Sequence, residues 1–234
     1  MEPVLVLQFM PDDGPGYFGT WAARHGLPCV VLNAAAGQSF PSTMTGHRAL
    51  AILGGAMSAN DDLPYLRDAE RLIDHCMGGG VPVLGHCLGG ELMARTLGAR
   101  INASPAPEVG WHRMQVAEDA GARDWFGEAD VQQVFHWHYE AFDLPAGATA
   151  LGSSVACPIQ AFSLGPHLGL QFHLEIDAQK IDAWLASADE LYVQSQHQHP
   201  TVQSPQSIRR RTTEHHQPHH ALADRVYGRW LGLT

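Results

Sequence analysis

The stretch "VPVLGHCLGG", residues 81 to 90, sets a cysteine between two glycines at the end of an apolar run. Val81, Val83 and Leu84 read as a buried strand, and the following "LGGELMARTLGA", with Leu88, Leu92 and Leu97 and a closing Gly98, reads as a helix. Cys87 therefore falls at a strand-to-helix turn. Upstream, "VLVLQF" (4 to 9), "CVVL" (29 to 32) and "ALAIL" (49 to 53) are continuous apolar runs, the pattern of strands covered on both faces in a parallel sheet. Between the last of these and Val81, "DDLPYLRDAERLIDHCMGGG" carries Asp61 or Asp62 as helix cap, Pro64 in the first turn, Leu63, Leu66, Ile73 and Met77 at helical spacing, and Gly78 as stop. Strand, helix, strand is the grammar of an α/β fold.

The chain of 234 residues is long enough for one substantial core, so a single domain over 1–234 is expected. A net charge of -10, with 14 Lys and Arg in no long basic run, argues against a nucleic-acid partner and favours a small-molecule substrate. The N-terminal "MEPVLVLQFMPDDG" has no basic leader and too short an apolar run to span a bilayer, so no membrane association and a cytoplasmic location are expected. The four cysteines show no C-x-x-C spacing and read as reduced thiols. No P-loop or dinucleotide fingerprint is present, and no cofactor is expected.

Farther on, "EVGWHRMQV" (108 to 116), "VQQVFHWH" (131 to 138), "IQAFSLG" (159 to 165) and "LGLQFHLE" (168 to 175) read as further strands, and Asp177 caps a helix in "DAQKIDAWLAS". Residues 194 to 220 hold six of the 15 histidines among glutamines. A His-rich tract can bind transition metals, but this one lacks the partners and fixed spacing of a closed site. It is expected to be a solvated connector to a C-terminal helix over "ALADRVYGRWLGLT", and no metal is expected.

A cysteine at the start of a helix meets unpaired backbone amides and the positive end of the helix dipole, which favour the thiolate. Gly85 and Gly89 give the G-x-C-x-G form of a nucleophile elbow. In "GLQFHLE", His173 and Glu175 stand two apart, so in a strand they point the same way and the carboxylate can orient the imidazole. Cysteine, base and orienter make a triad for acyl transfer. In "LGGAMSANDD", Gly54 and Gly55 let a backbone N–H turn toward an incoming carbonyl, and with the amide of Leu88 this forms an oxyanion hole.

In this order, "GGAMSAND", "PVLGHCLGGELMA" and "GLQFHLE" resemble the class I (triad) glutamine amidotransferase family, in particular stand-alone GMP-synthase-like domains. "EVGWHRM" and "FHWHYEAFDLP" resemble the segments that line that family's glutamine pocket. The resemblance implies a doubly wound, mostly parallel, flavodoxin-like α/β sheet flanked by helices. It implies that Cys87 attacks the side-chain amide of glutamine to form a γ-glutamyl thioester, with His173 as base, Glu175 as its orienter and Gly55 and Leu88 supplying oxyanion amides. Glu91, Trp137 and His138 would then lie near the bound amino acid, with Gly54 beside them.

Three positions depart from the family pattern. Glu91 replaces a glutamine that grips substrate, Leu174 replaces the proline between His and Glu, and Tyr139 with Glu140 replaces a Gly-Asp pair, so that Tyr139 narrows the pocket. The acceptor of the ammonia is not encoded, so a synthetase partner subunit is one expectation. A γ-glutamyl peptide hydrolase with the same triad is a second reading, and a catalytically silent regulatory or binding subunit is a third.

Overall fold

The structure is a computed structural model that describes residues 1–233. The apolar runs at the start of the chain form β1 (Val4–Gln8), β2 (Cys29–Asn33), β3 (Ala49–Ile52) and β4 (Val83–His86), crossed by α1 (Gly16–Arg24) and α2 (Pro64–Gly78). Every residue of β1, β3 and β4 is buried, so both faces must be covered, and apolar side chains at consecutive positions meet that demand. The chain continues through α3 (Leu88–Thr96), β5 (Ile101–Val116), α4 (Ala120–Phe126), β6 (Val131–Phe142), β7 (Thr149–Ser153), β8 (Ala161–Leu164), β9 (His167–Leu170), α5 (Ala178–Ala186), α6 (Glu190–Gln198) and α7 (Pro205–Trp230).

One nine-stranded sheet runs in the order β2-β1-β3-β4-β9-β8-β7-β5-β6. The pairs from β2 through β1, β3 and β4 to β9 are parallel. From β9 outward through β8, β7 and β5 to β6 the pairs are antiparallel. β9 is therefore the hinge of the architecture: a late segment of the chain inserted beside β4, so that the start of α3 and the residues after β9 share one end of the sheet. Two core clusters pack on the two faces, one under α1, α4 and α7 and the other under α2 and α3. A third, around Trp111, Phe135 and Ile181, lies under α5 and α6.

Two expectations change. The cap of α2 is Leu63 rather than Asp61 or Asp62; Asp61 instead accepts from the backbone N–H of Ser58 at 3.0 Å and closes its own turn. The tract 194–220 is not a connector for most of its length, because α7 begins at Pro205 and carries Pro218 inside it. Its histidines bind backbone: His219 Nε2 reaches His173 O at 2.9 Å and His220 Nε2 reaches Ile176 O at 3.2 Å. His220 also stacks on Tyr17 at 3.6 Å between ring centroids. Thr212 accepts from Trp111 Nε1 at 2.9 Å. The helix is thereby tied to the backs of β5 and of the segment after β9.

The packing of α3 on the sheet depends on missing side chains. A Cβ on Gly89 would sit 2.5 Å from Ile52 O, and one on Gly90 the same distance from Leu170 O. Gly89→Ala is expected to lower stability by about 1–3 kcal/mol or more, since backbone must move. Gly78→Ala, where a Cβ meets nothing within 4 Å, should be neutral or slightly stabilising. Urea midpoints of the two variants check this; equal losses would contradict it.

Candidate functional site

Cys87 stands between β4 and α3 with φ 49° and ψ -110°, and is the one non-glycine residue with positive φ among the described residues. Such a conformation costs roughly 1–3 kcal/mol and persists only where its surroundings fix it. They do: Cys87 N–H donates to Leu170 O at 2.8 Å, and Cys87 O accepts from Glu91 N–H at 2.9 Å. Gly85 lies against Gly89 with no room for a Cβ between them.

His173 lies just past β9, in an isolated bridge to Phe135 rather than in a regular strand. Its N–H donates to Phe135 O at 2.9 Å. The spacing of two still brings the side chains together, with His173 Nδ1 and Glu175 Oε1 2.7 Å apart. A carboxylate accepts, so Nδ1 carries the hydrogen and Nε2 presents a lone pair. That Nε2 has no partner among the described residues. A Cβ on Gly54 would lie 2.8 Å from His173 Cε1 and 3.6 Å from Cys87 Cβ, so this glycine makes room where imidazole and thiol converge. Gly55 is similarly close to Leu88, whose Cδ2 a Cβ would meet at 2.7 Å. The three segments picked from the sequence thus meet at one point.

The electrostatics differ from the sequence expectation at one place. Burial pushes the Cys87 thiol well above its usual range, Glu91 and Glu175 add to this, and the Leu88 backbone N–H only partly opposes it. The helix terminus is outweighed, because a thiolate in an enclosed site beside two carboxyl groups is poorly solvated. The resting sulfur keeps its proton. Burial alone would also raise Glu175, but His86, His173 and Lys180 outweigh it and hold that carboxyl below the usual range. His86 is itself pushed down by burial, so near neutral pH it is an uncharged ring. Its Nε2 lies 3.7 Å from Glu175 Oε2 and 3.5 Å from the hydroxyl of Tyr227 on α7.

A cavity of about 600 Å³ opens over Cys87 and His173. Glu91, Trp137, His138 and Tyr139 line it, as does Gly55. Trp137 O faces Cys87 Sγ at 3.7 Å. Glu91 is buried and accepts from Gln171 Nε2 at 2.8 Å, and burial raises its pKa to about 7. His138 lines the cavity with its ring nitrogens set against protein atoms, Nδ1 3.0 Å from Glu140 O and Nε2 3.2 Å from Glu108 Oε2. Trp184 is not legible in the sequence. From α5 it sets its ring against His173, with centroids 4.8 Å apart at 75°, and donates from Nε1 to Asp13 at 2.8 Å. Lys180 pairs with Asp13 and donates to Gly14 O, which pins the 10–14 loop as the facing wall. Carboxyl groups from Asp12, Asp13, Glu91, Glu140 and Asp189 line the cavity, and no Lys or Arg among the described residues does.

Comparison with known proteins gives a consistent answer. The class-I glutamine amidotransferase family model matches residues 28–187. The glutamine amidotransferase-like protein YfeJ of Salmonella typhimurium is 28% identical over 188 residues, 76% of this chain and 77% of that one. The glutamine-hydrolyzing GMP synthase of Streptomyces avermitilis is 33% identical over 58% of this chain, which spans only 27% of that protein. The crystal structure of the glutamine amido transferase of Methylobacillus flagellatus superposes with a TM-score of 0.95 at 35% identity, covering 99% of this chain and 95% of that one. The chain belongs to the class-I glutamine amidotransferase family.

Proposed function

We propose that the protein hydrolyses the side-chain amide of glutamine through a cysteine thioester. The convergence of Cys87, His173 and Glu175 at Gly54 carries this reading. Cys87 Sγ attacks the amide carbon as its proton passes to His173 Nε2, so the anionic sulfur never has to exist unpaired in the buried site. The backbone amides of Gly55 and Leu88 receive the oxyanion, a contribution of about 3–4 kcal/mol per donor. His173 then returns the proton to the leaving nitrogen, and ammonia departs. Water, deprotonated by the same nitrogen, attacks the γ-glutamyl thioester and releases glutamate and the thiol. Glu175 holds the imidazole tautomer and stabilises its charged form.

The glutamine-hydrolyzing GMP synthases that the chain partly spans support a synthetase partner subunit as acceptor of the ammonia. Four unpaired cysteines support a cytoplasmic setting. None of the helices among the described residues is long and apolar enough to cross a membrane. A second reading, hydrolysis of a γ-glutamyl compound with a cationic leaving group, draws on the five carboxylates and absent Lys and Arg of the cavity.

Cys87→Ala should abolish ammonia release from glutamine while leaving the circular dichroism spectrum unchanged; a folded variant with full activity would overturn the mechanism. His173→Ala should reduce kcat by about 100- to 10,000-fold, and Glu175→Gln by less, since it acts through the imidazole. Steady-state kinetics that reverse this order would contradict the division of roles.

Glu91 generates a pH prediction. Its folded pKa is raised to about 7 from 4.5, so the stability it contributes is full below pH 4.5 and is lost as pH rises toward 7. Relative to wild type, Glu91→Gln should gain on the order of 3 kcal/mol between these limits. Urea denaturation at pH 5 and pH 8 reads the difference, and parallel behaviour of the two proteins would sink the assignment. A lower KM for glutamine in Glu91→Gln is expected at pH 8 as well, because the charge facing the substrate is removed.

A further inference from the structure

Glu108 and His138 are directly opposed across the β5–β6 ladder, and His136 stands two residues along β6 from His138. Glu108 is 2% exposed, His136 0% and His138 2%. One ligand atom from each lies within 4.8 Å of the others. The hydrogen bonds among them do not close. His138 Nδ1 faces the carbonyl of Glu140 at 3.0 Å, and a carbonyl can only accept, so Nδ1 carries the hydrogen. Nε2 then points a lone pair at the Glu108 carboxylate 3.2 Å away, acceptor against acceptor. A positive centre belongs between them. His136 beside them has both ring nitrogens buried without a partner among the described residues.

We propose that Glu108, His136 and His138 bind a zinc ion. The donor set of two imidazoles and a carboxylate suits it. Bonds of about 2.0–2.1 Å in a tetrahedron place neighbouring ligand atoms about 3.3 Å apart, which matches the Glu108–His138 separation. His136 needs only to draw in from within 4.8 Å. Supporting contacts of the usual kind are in place: Glu140 O orients His138, and Gln160 Nε2 holds Glu108 Oε2 at 2.5 Å. A fourth position remains for solvent or another donor. The ion would lock β5 to β6 at the register shift between Ala103 and Glu108, and so fix the wall that carries Trp137 and Tyr139. The expectation that no metal binds rests on the tract 194–220. Here the strand period of two in "HWH" carries the pattern, with the carboxylate supplied from the facing strand.

The test is retention of zinc by the full chain, purified without a histidine tag, incubated with zinc sulfate, dialysed against metal-free buffer and measured by mass spectrometry. About one zinc per chain is expected, with a rise in Tm on zinc addition and visible d–d absorption when cobalt(II) replaces it. Glu108→Gln and His136→Asn should each reduce retained zinc to about a tenth or less and remove the Tm response, while a His215→Asn, His216→Asn double variant of α7 should keep both. Glu108→Gln preserves side-chain shape, and circular dichroism reports whether each variant is folded. Wild type that retains no zinc would overturn the proposal, as would unchanged retention in folded Glu108→Gln. Loss only in the α7 variant would assign the metal to the surface histidines and overturn it equally. None of these readouts requires turnover, so the result stands apart from the amide chemistry.

Discussion

Cys87 sits where a side chain is normally excluded, at φ 49°, because the chain must leave β4 and enter α3 within one residue. Three glycines make this possible. Gly85 and Gly89 let strand and helix approach until no Cβ fits between them, and Gly90 lets α3 rest directly on the backbone of β9. The hydrogen bond from Cys87 N–H to Leu170 O then ties the turn to β9 itself. The position of the sulfur is thus a property of two strands and a helix, rather than of a loop.

The segment after β9 completes the arrangement. The same stretch of chain that receives Cys87 N–H continues to His173 and Glu175, so one backbone path sets the distance between thiol and imidazole. Packing holds it from both sides: Trp184 on α5 closes over the His173 ring, and His219 on α7 binds its carbonyl. For the proposed chemistry burial has a cost, since it raises the thiol pKa, and a gain, since charge that develops in an enclosed site is strongly felt by fixed dipoles.

The site's framework is legible in the sequence for specific physical reasons. β1, β3 and β4 are covered on both faces, which leaves runs of consecutive apolar residues that turn polar only at the last positions of β1 and β4, Gln8 and His86. The elbow shows itself because glycines are required there, and the His-x-Glu pair because strand-like backbone points alternate residues the same way. What stays hidden depends on packing between segments. Nothing local marks Trp184 as the neighbour of His173. The tract 194–220 looks solvated because histidine and glutamine are polar, yet His219 is 1% exposed, made compatible with burial by a backbone carbonyl. The thiol's protonation is misjudged from the helix terminus alone, because the burial that outweighs that effect is a sum over the whole site.

The strand order carries a consequence for how the protein comes into being. β4 and Cys87 leave the ribosome early, whereas β9, which pairs with β4, is separated from it by four intervening strands and two helices. Until the chain has emerged past His173, the elbow lacks both the carbonyl of Leu170 that steadies it and the imidazole that faces its sulfur. Pairing over so long a separation closes late. The nascent polypeptide therefore carries a sheathed thiol: Cys87 is made long before the imidazole it will face, and the pair exists only once β9 has docked beside β4.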